Sequence, residues 1–467
     1  MVNLDDLRGR LAEQLPELIA RYGVPGAAVG VLAGGEVVDV AAGVLNKATG
    51  VAATADSVFQ IGSITKVWTA TLVMQLVDEG RVDLEAPVRR YVPGFRLASE
   101  SAAAAITVRQ LLNHTAGFEG DIFTDTGTGD DCVAKFVEVL ADVPQLFPPG
   151  ERFSYNNAGY CLLGRVVEVL RDKPYHQCLR DHLFGPLGLT HAATGADEAI
   201  MFRAAIGHVR PEPDGEYVPA PVYSLARSNA PAGSALAMRA RDLLAFAAMH
   251  LAHGSAADGT QVLSPGAVKA MRQRQVTLPK LALMGDAWGL GWELMDTGAG
   301  TLIGHDGSTI GQNAFLRTVP EQGVAVALLS NGGDTISLYR DVLGGLLRQV
   351  AGVDLPPLPV PPERPQRIDA ARFVGTYTNR LADLAVSQDP DDGRIWLDLT
   401  PRGLFEEMGE QRQRTELVHL HDDTLIPVQA QDGLHMPHAF VGDDGTGRAL
   451  YVHIGRAIRR GDAEPVR

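Results

Sequence analysis

Pro356-Pro357-Leu358-Pro359-Val360-Pro361-Pro362 limits what this chain can become more than any other stretch of it. Prolines lack a backbone donor and hold φ near −65°, so neither a helix nor an interior strand runs through such a segment. A semi-rigid, polyproline-like linker is expected. It divides the 467 residues into 1–354 and 367–467, with 355–366 between them. A chain of this length also exceeds what one core usually supports.

The two parts differ in pattern. Leu4, Leu7, Leu11, Leu15 and Leu18 recur at helical spacing, and Gly23 and Pro25 close that helix. Strand-like runs at 27–32 and 36–44 flank Gly34-Gly35, which reads as a hairpin. Residues 64–79 are apolar almost all round, the mark of a buried helix. Helical patterns follow at 107–112, 158–171, 239–251 and 264–273, then strands at 288–294, 314–318 and 323–329 and a closing helix at 339–350. Terminal strands around a helical middle predict an α+β domain with an antiparallel sheet built from both ends of the domain. Beyond the linker, short strands near 373–378, 395–399, 416–420, 424–428 and 449–454 alternate with Asp/Gly turns, which predicts a small all-β barrel or sandwich.

Composition narrows the function. The net charge of −15 disfavours nucleic acid and anionic membrane surfaces as partners. Cys132, Cys161 and Cys178 lack metal-ligand spacing and read as buried free thiols in a reducing compartment. Asp5 and Asp6 stand where a secretory leader needs basic residues, and no apolar run reaches the roughly 18–20 residues of a membrane span. A cytoplasmic protein without a membrane partner is expected.

Ser63-Ile64-Thr65-Lys66 places a hydroxyl and an amine one helical turn apart. An amine with a lowered pKa can take the hydroxyl proton, so this spacing suggests covalent acyl transfer. Two more motifs follow: Tyr155-Asn156-Asn157, just before the helix near Ala158, and His305-Asp306-Gly307-Ser308, leading into a strand. Together with Leu111-Leu112-Asn113-His114-Thr115-Ala116-Gly117, Ala232-Gly233-Ser234 and Gly289-Leu290-Gly291-Trp292, they resemble the serine β-lactamase and penicillin-binding-protein superfamily, most closely its class C-like hydrolases. The resemblance covers about Leu4 to Val350 and implies a β-lactamase/transpeptidase-like fold. It implies Ser63 as nucleophile and Lys66 as the amine sharing its proton. Tyr155 would be the proton relay, its pKa lowered by the neighbouring cation, and Asn157 would hold Lys66 and accept from or donate to the substrate amide. The N–H groups of Ser63 and of Ser308, on an edge strand, would form the oxyanion hole, and an extended acyl group would pair along that strand. His114 is read as structural. Tyr377-Thr378-Asn379 repeats the tyrosine spacing beyond the linker and is read as structural too.

His305-Asp306-Gly307 stands where antibiotic-handling relatives usually carry Lys-Thr-Gly. A neutral histidine replaces a cation there, and Asp306 adds a negative charge, which disfavours carboxylate-bearing β-lactams. The catalytic set, the linker and a lipocalin-like β domain are together similar to the stand-alone penicillin-binding-protein-type thioesterases. That resemblance implies a peptidyl thioester substrate, free or on a carrier protein, released as a head-to-tail macrolactam without a cofactor. Asp306 and Gly307 would help bind the substrate, Asp306 through its ammonium end. Arg448 and Arg456, in the last strands, could face the pocket from the β domain, but each reads first as a solvated strand residue. An esterase, or a D-amino-acid amidase or peptidase, of the same mechanism is the alternative. A non-catalytic acyl or β-lactam sensor is a third reading, which the intact Ser63, Lys66 and Tyr155 argue against.

Overall fold

The computed structural model describes residues 3–212, 215–281, 284–298, 300–407, 409–431 and 433–462; Met1 and Val2, part of the N-terminal stretch read above as lacking a leader, lie outside them. Helix α1 (Leu4–Arg21) starts where the Asn3 side chain accepts from the Asp5 and Asp6 N–H groups, and it buries Leu7, Leu11, Leu15 and Ile19. The chain then forms β1 (Gly26–Ala33), β2 (Glu36–Asn46) and β3 (Val51–Ala52). Two central helices follow, α2 (Thr65–Asp78) and α3 (Asn157–Arg171), then α4 (Ala240–Leu251). The later strands are β4 (Val276–Thr277), β5 (Ala287–Trp288), β6 (Glu293–Thr297), β7 (Gly300–Ser308), β8 (Asn313–Val319) and β9 (Val324–Ser330), closed by α5 (Thr335–Ala351).

The nine strands form one antiparallel sheet in the order β3-β2-β1-β9-β8-β7-β6-β5-β4. Ala27 pairs with Ser330, so the N- and C-terminal parts of the domain meet at its centre. Alternation along β9 sends Val326 and Leu328 to one face and Ala327 and Leu329 to the other. The first face packs on α1 and α5, and the second on the helical region, where Trp68 of α2 stacks on Phe246 of α4 with ring centroids 3.9 Å apart. Helix α2 is buried on every side from Thr65 to Leu76, as its composition predicts.

The motif at His305 lies inside β7, which runs from Gly300, rather than ahead of a strand. Nor is β7 an edge strand along its length, because β6 pairs with it from Gly300 to Gly304. Among the described residues that pairing stops there, so His305–Ser308 keeps a free outer edge while its inner edge pairs with β8.

Beyond the prolines, eight strands between Gly375 and Arg460 close into a barrel, ending in β10 (Tyr451–His453) and β11 (Ala457–Arg460). Tyr377, Leu384, Val386, Leu397, Phe440 and Val452 share its buried core. Arg460 is buried as well and donates to the Ala449 and Val374 carbonyls and the Tyr377 hydroxyl. The second tyrosine motif is therefore structural: Tyr377 donates to the Phe373 carbonyl, and Asn379 accepts from the N–H groups of Leu381 and Ala382. Among the described residues no helix is long and apolar enough to cross a membrane.

Candidate active site

Ser63 sits in a short 3-10 turn, Gly62–Ile64, that runs directly into α2 and places Lys66 one turn further on. The Lys66 Nζ is completely buried, 3.0 Å from Ser63 Oγ and 2.6 Å from the Ala232 carbonyl. Burial pushes its pKa down to about 7, and the Arg456 cation acts in the same direction. A large share of Lys66 is then a free amine at neutral pH, within reach of the serine proton.

Two close backbone approaches fix the turn. Gly62 has φ +51°, and a Cβ there would lie 2.5 Å from the Ser308 nitrogen. A Cβ on Gly307 would collide with the Ile61 carbonyl. Only glycine at both positions lets β7 come against the nucleophile turn, which brings the N–H groups of Ser63 and Ser308 to the same place.

Tyr155 is buried beside Ser63, its ring centroid 4.8 Å from Lys66 Nζ and 4.5 Å from the His114 ring. This phenol was expected to have a lowered pKa; burial instead drives it well above the ordinary tyrosine value, outweighing the opposing pull of Ser63 and Arg456. Tyr155 is therefore a phenol in the resting site. His114 braces it from behind: its Nδ1 accepts from the Asn156 N–H at 3.0 Å, and its carbonyl accepts from the Ser154 N–H.

Asn157, expected to hold Lys66, is the first residue of α3 and donates from Nδ2 to Asp121 Oδ1 at 2.7 Å. His305 is buried between Tyr155 and Trp288. Its Nδ1 lies 2.6 Å from the Asp306 carbonyl, which can only accept, so Nδ1 carries the proton and Nε2 presents a lone pair. Burial, with Lys66 nearby, lowers its pKa to about 3, so the ring is neutral.

Asp306, expected to help bind the substrate, is not turned to the site. Adjacent strand residues face opposite ways, so with His305 turned to the site Asp306 points to the far face, where Arg317 grips it at 2.5 and 3.1 Å. Arg448 is also absent from the site: it is exposed on the barrel domain and pairs there with Asp444 and Asp462. Arg456, read first as a solvated strand residue, instead reaches the site: its guanidinium lies 5.0 Å from the Tyr155 ring centroid and pairs with Asp121.

The hairpin of β10 and β11 is hydrogen-bonded to the segment carrying Tyr155. The Tyr155 N–H donates to the Gly455 carbonyl at 3.1 Å, His453 Nε2 donates to the Phe153 carbonyl at 2.9 Å, and the Ala457 N–H donates to Ser154 Oγ at 3.1 Å. Tyr451 adds a bond to the Leu146 carbonyl. Asp121 and His453 escaped the sequence reading because no motif spacing joins residues so far apart. All three cysteines are buried and unpaired, and among the described residues no cluster of three or more His, Cys, Asp or Glu is placed to hold a metal ion.

A protein-family model described as Beta-lactamase matches residues 10–344. "Penicillin-binding protein 4" of Amycolatopsis lactamdurans is 46% identical over 367 residues, 78% of this chain and 96% of that protein. The solved structure of SurE superposes with a TM-score of 0.78 at 30% identity, covering 98% of this chain and 100% of that one, and SurE has also been solved with D-Leu. The D-amino acid amidase of Ochrobactrum anthropi SV3, complexed with L-phenylalanine amide, superposes with a TM-score of 0.59 at 27% identity over 70% of this chain and 92% of its own.

Proposed function

The chain belongs to the Beta-lactamase family, and from that premise we propose that Ser63 takes the acyl group of a peptidyl thioester and passes it to the peptide's own amine, closing a head-to-tail macrolactam. The uncharged Lys66 amine removes the Ser63 proton as Oγ attacks the thioester carbon. The oxyanion is held by the N–H groups of Ser63 and Ser308. The C–S bond breaks, and the thiolate leaves with the proton carried by Lys66. In the second half the peptide amine attacks the ester carbon and loses a proton to Lys66, and Tyr155, a phenol, lends its proton to the departing Ser63 oxygen and recovers one from Lys66.

The observation that carries this reading is the roof. The barrel hairpin packs on Tyr155 through Gly455 and Arg456, and an acyl-enzyme sheltered by it would favour a tethered amine over bulk water because the amine's effective concentration is high. The neutral His305 agrees with a substrate that lacks the free carboxylate of a β-lactam. Carrier-bound thioesters are made in the cytoplasm, and the reading places the protein there.

Hydrolysis of a D-aminoacyl amide or ester is the second reading, supported by the likeness to the D-amino acid amidase and by the D-Leu held by SurE. A linear peptidyl thioester with a D-residue at its C-terminus separates the two by product mass. Cyclic peptide as the main product supports cyclisation, and linear acid alone removes it.

A further inference from the structure

Pro231-Ala232-Gly233, at the end of the 3-10 helix Arg227–Ala232, meets Lys66 and Ser63 through its backbone. The Ala232 carbonyl accepts from Lys66 Nζ at 2.6 Å. Gly233, at φ +123°, packs so closely on the nucleophile turn that a Cβ there would lie 2.8 Å from the Ser63 nitrogen. A carbonyl can only accept, so one N–H of Nζ is committed to Ala232. In the free amine that bond sets the rotation of Nζ, and with it where the lone pair points relative to Ser63 Oγ, 3.0 Å away.

Two hydroxyls hold this short strap from behind. Thr69, one turn beyond Lys66 on α2, has its Oγ1 2.7 Å from the Pro231 carbonyl, 2.7 Å from the Tyr175 hydroxyl and 3.3 Å from the Thr65 carbonyl. Two oxygens 2.7 Å apart need a proton between them. The Pro231 carbonyl has none and Thr69 has one, so Thr69 donates to Pro231 and Tyr175 donates to Thr69. Both side chains are buried, Thr69 completely. The Pro231 ring is also wedged against α3, where a Cβ on Gly164 would collide with it.

We propose that Thr69 and Tyr175 are positioning residues: through Pro231 they hold the Ala232 carbonyl on Lys66, so that the amine's lone pair faces the Ser63 hydroxyl. Neither hydroxyl bonds Ser63 or Lys66 itself, and they act through the strap. The inference deepens the proposed function and rests on Lys66 as the base for Ser63, but not on what later attacks the ester. Tyr155 and Tyr160, with ring centroids 4.8 and 5.8 Å from Nζ, and Cys161, His114, His305, Arg456 and Asp121 are the other titratable groups around the Lys66 charge, and the variants below leave all of them unchanged.

The test measures kcat/KM for p-nitrophenyl acetate from pH 5 to pH 9 on the full-length protein, where wild type is expected to rise with a midpoint of about 7. Thr69→Val removes the proton that Pro231 accepts and keeps the side-chain shape. With the strap released the ammonium loses an acceptor, so the midpoint is expected to fall by about 0.5 pH unit or more and the plateau by about fivefold or more. Thr69→Ser keeps the hydroxyl and is expected to keep the wild-type midpoint. Tyr175→Phe leaves the Thr69 proton free to turn to the Thr65 carbonyl, and the midpoint is expected to fall by about 0.3 pH unit or more; this variant carries the test should Thr69→Val not fold. An unmoved or raised midpoint in either variant, or a shift in Thr69→Ser as large as in Thr69→Val, overturns the proposal, because lost packing alone lowers the plateau and the unfolding temperature without lowering the midpoint. A flat wild-type profile overturns Lys66 as the base, and this inference with it.

Discussion

Lys66 is able to act as the proposed base because its ammonium lies in a site with little solvation and with the Arg456 cation nearby. Only the unprotonated amine can take the Ser63 proton, so kcat/KM for a small activated ester should rise with pH through about 7 and level off above it. A flat profile from pH 5 to 9 would remove Lys66 from the role. Lys66→Ala should lower labelling of Ser63 by a fluorophosphonate at least about 10³-fold, close to the loss in Ser63→Ala, because the two act as a unit. Tyr155→Phe should lower turnover about 10²-fold or more while the unfolding temperature stays within a few degrees of wild type; normal turnover would take the phenol out of the mechanism. The nucleophile, the amine, the tyrosine and the histidine were legible because each lies in a short motif whose spacing is local. Asp121 was not, since its partners Asn157 and Arg456 come from two other segments, the second beyond the linker. Asp306 was misread for a different reason. Once the strand is known to start at Gly300, its alternation with His305 settles which way it points.

Strand β7 carries different chemistry on its two faces. Opposite the reacting centre, Arg317 binds Asp306 and donates to the Tyr339 hydroxyl at 3.0 Å, while Glu293 of β6 stands across from Gly304 with Oε1 lacking a hydrogen-bond partner. Burial, helped by Asp306, raises the Glu293 pKa to about 8. The folded protein thus keeps a proton that the unfolded chain gives up near the ordinary carboxylate value, so stability falls as pH rises from there to about 8. Glu293→Gln should erase part of that slope, with its unfolding temperature gaining about 2–4 °C on wild type between pH 5 and pH 8. Calorimetry at the two pH values checks this, and an equal difference at both would contradict the ionisation. Helix α1 was readable from its periodicity and α2 from its unbroken apolar run, because each spans several turns. Strands as short as β4 and β5 hold two residues each, too few to show a period, and only their neighbours in the sheet create them.

At the scale of the molecule, the barrel holds Tyr155 in place. Its interior is occupied by its own side chains, and its hairpin bonds to the backbone on both sides of Ser154. His453→Ala removes the donor to the Phe153 carbonyl and should lower kcat about 10-fold on a small ester and on a peptidyl thioester alike. Steady-state kinetics with both substrates, alongside circular dichroism, tests it; a loss confined to the thioester would make the hairpin a recognition surface. The linker was plain from its prolines, and a small β domain from the turns beyond them. Docking of that domain on Tyr155 was not, because each of its bonds has at one end or both a backbone group, which every residue possesses. The free edge of β7 sets a last limit. Its four residues, His305–Ser308, span about 13 Å, and a paired strand presents alternate side chains to one face. Such a short ledge grips about two residues of a bound chain next to the Ser63 ester. A mixture of chains should be sorted by those last residues alone, with the upstream sequence and overall length left free to vary.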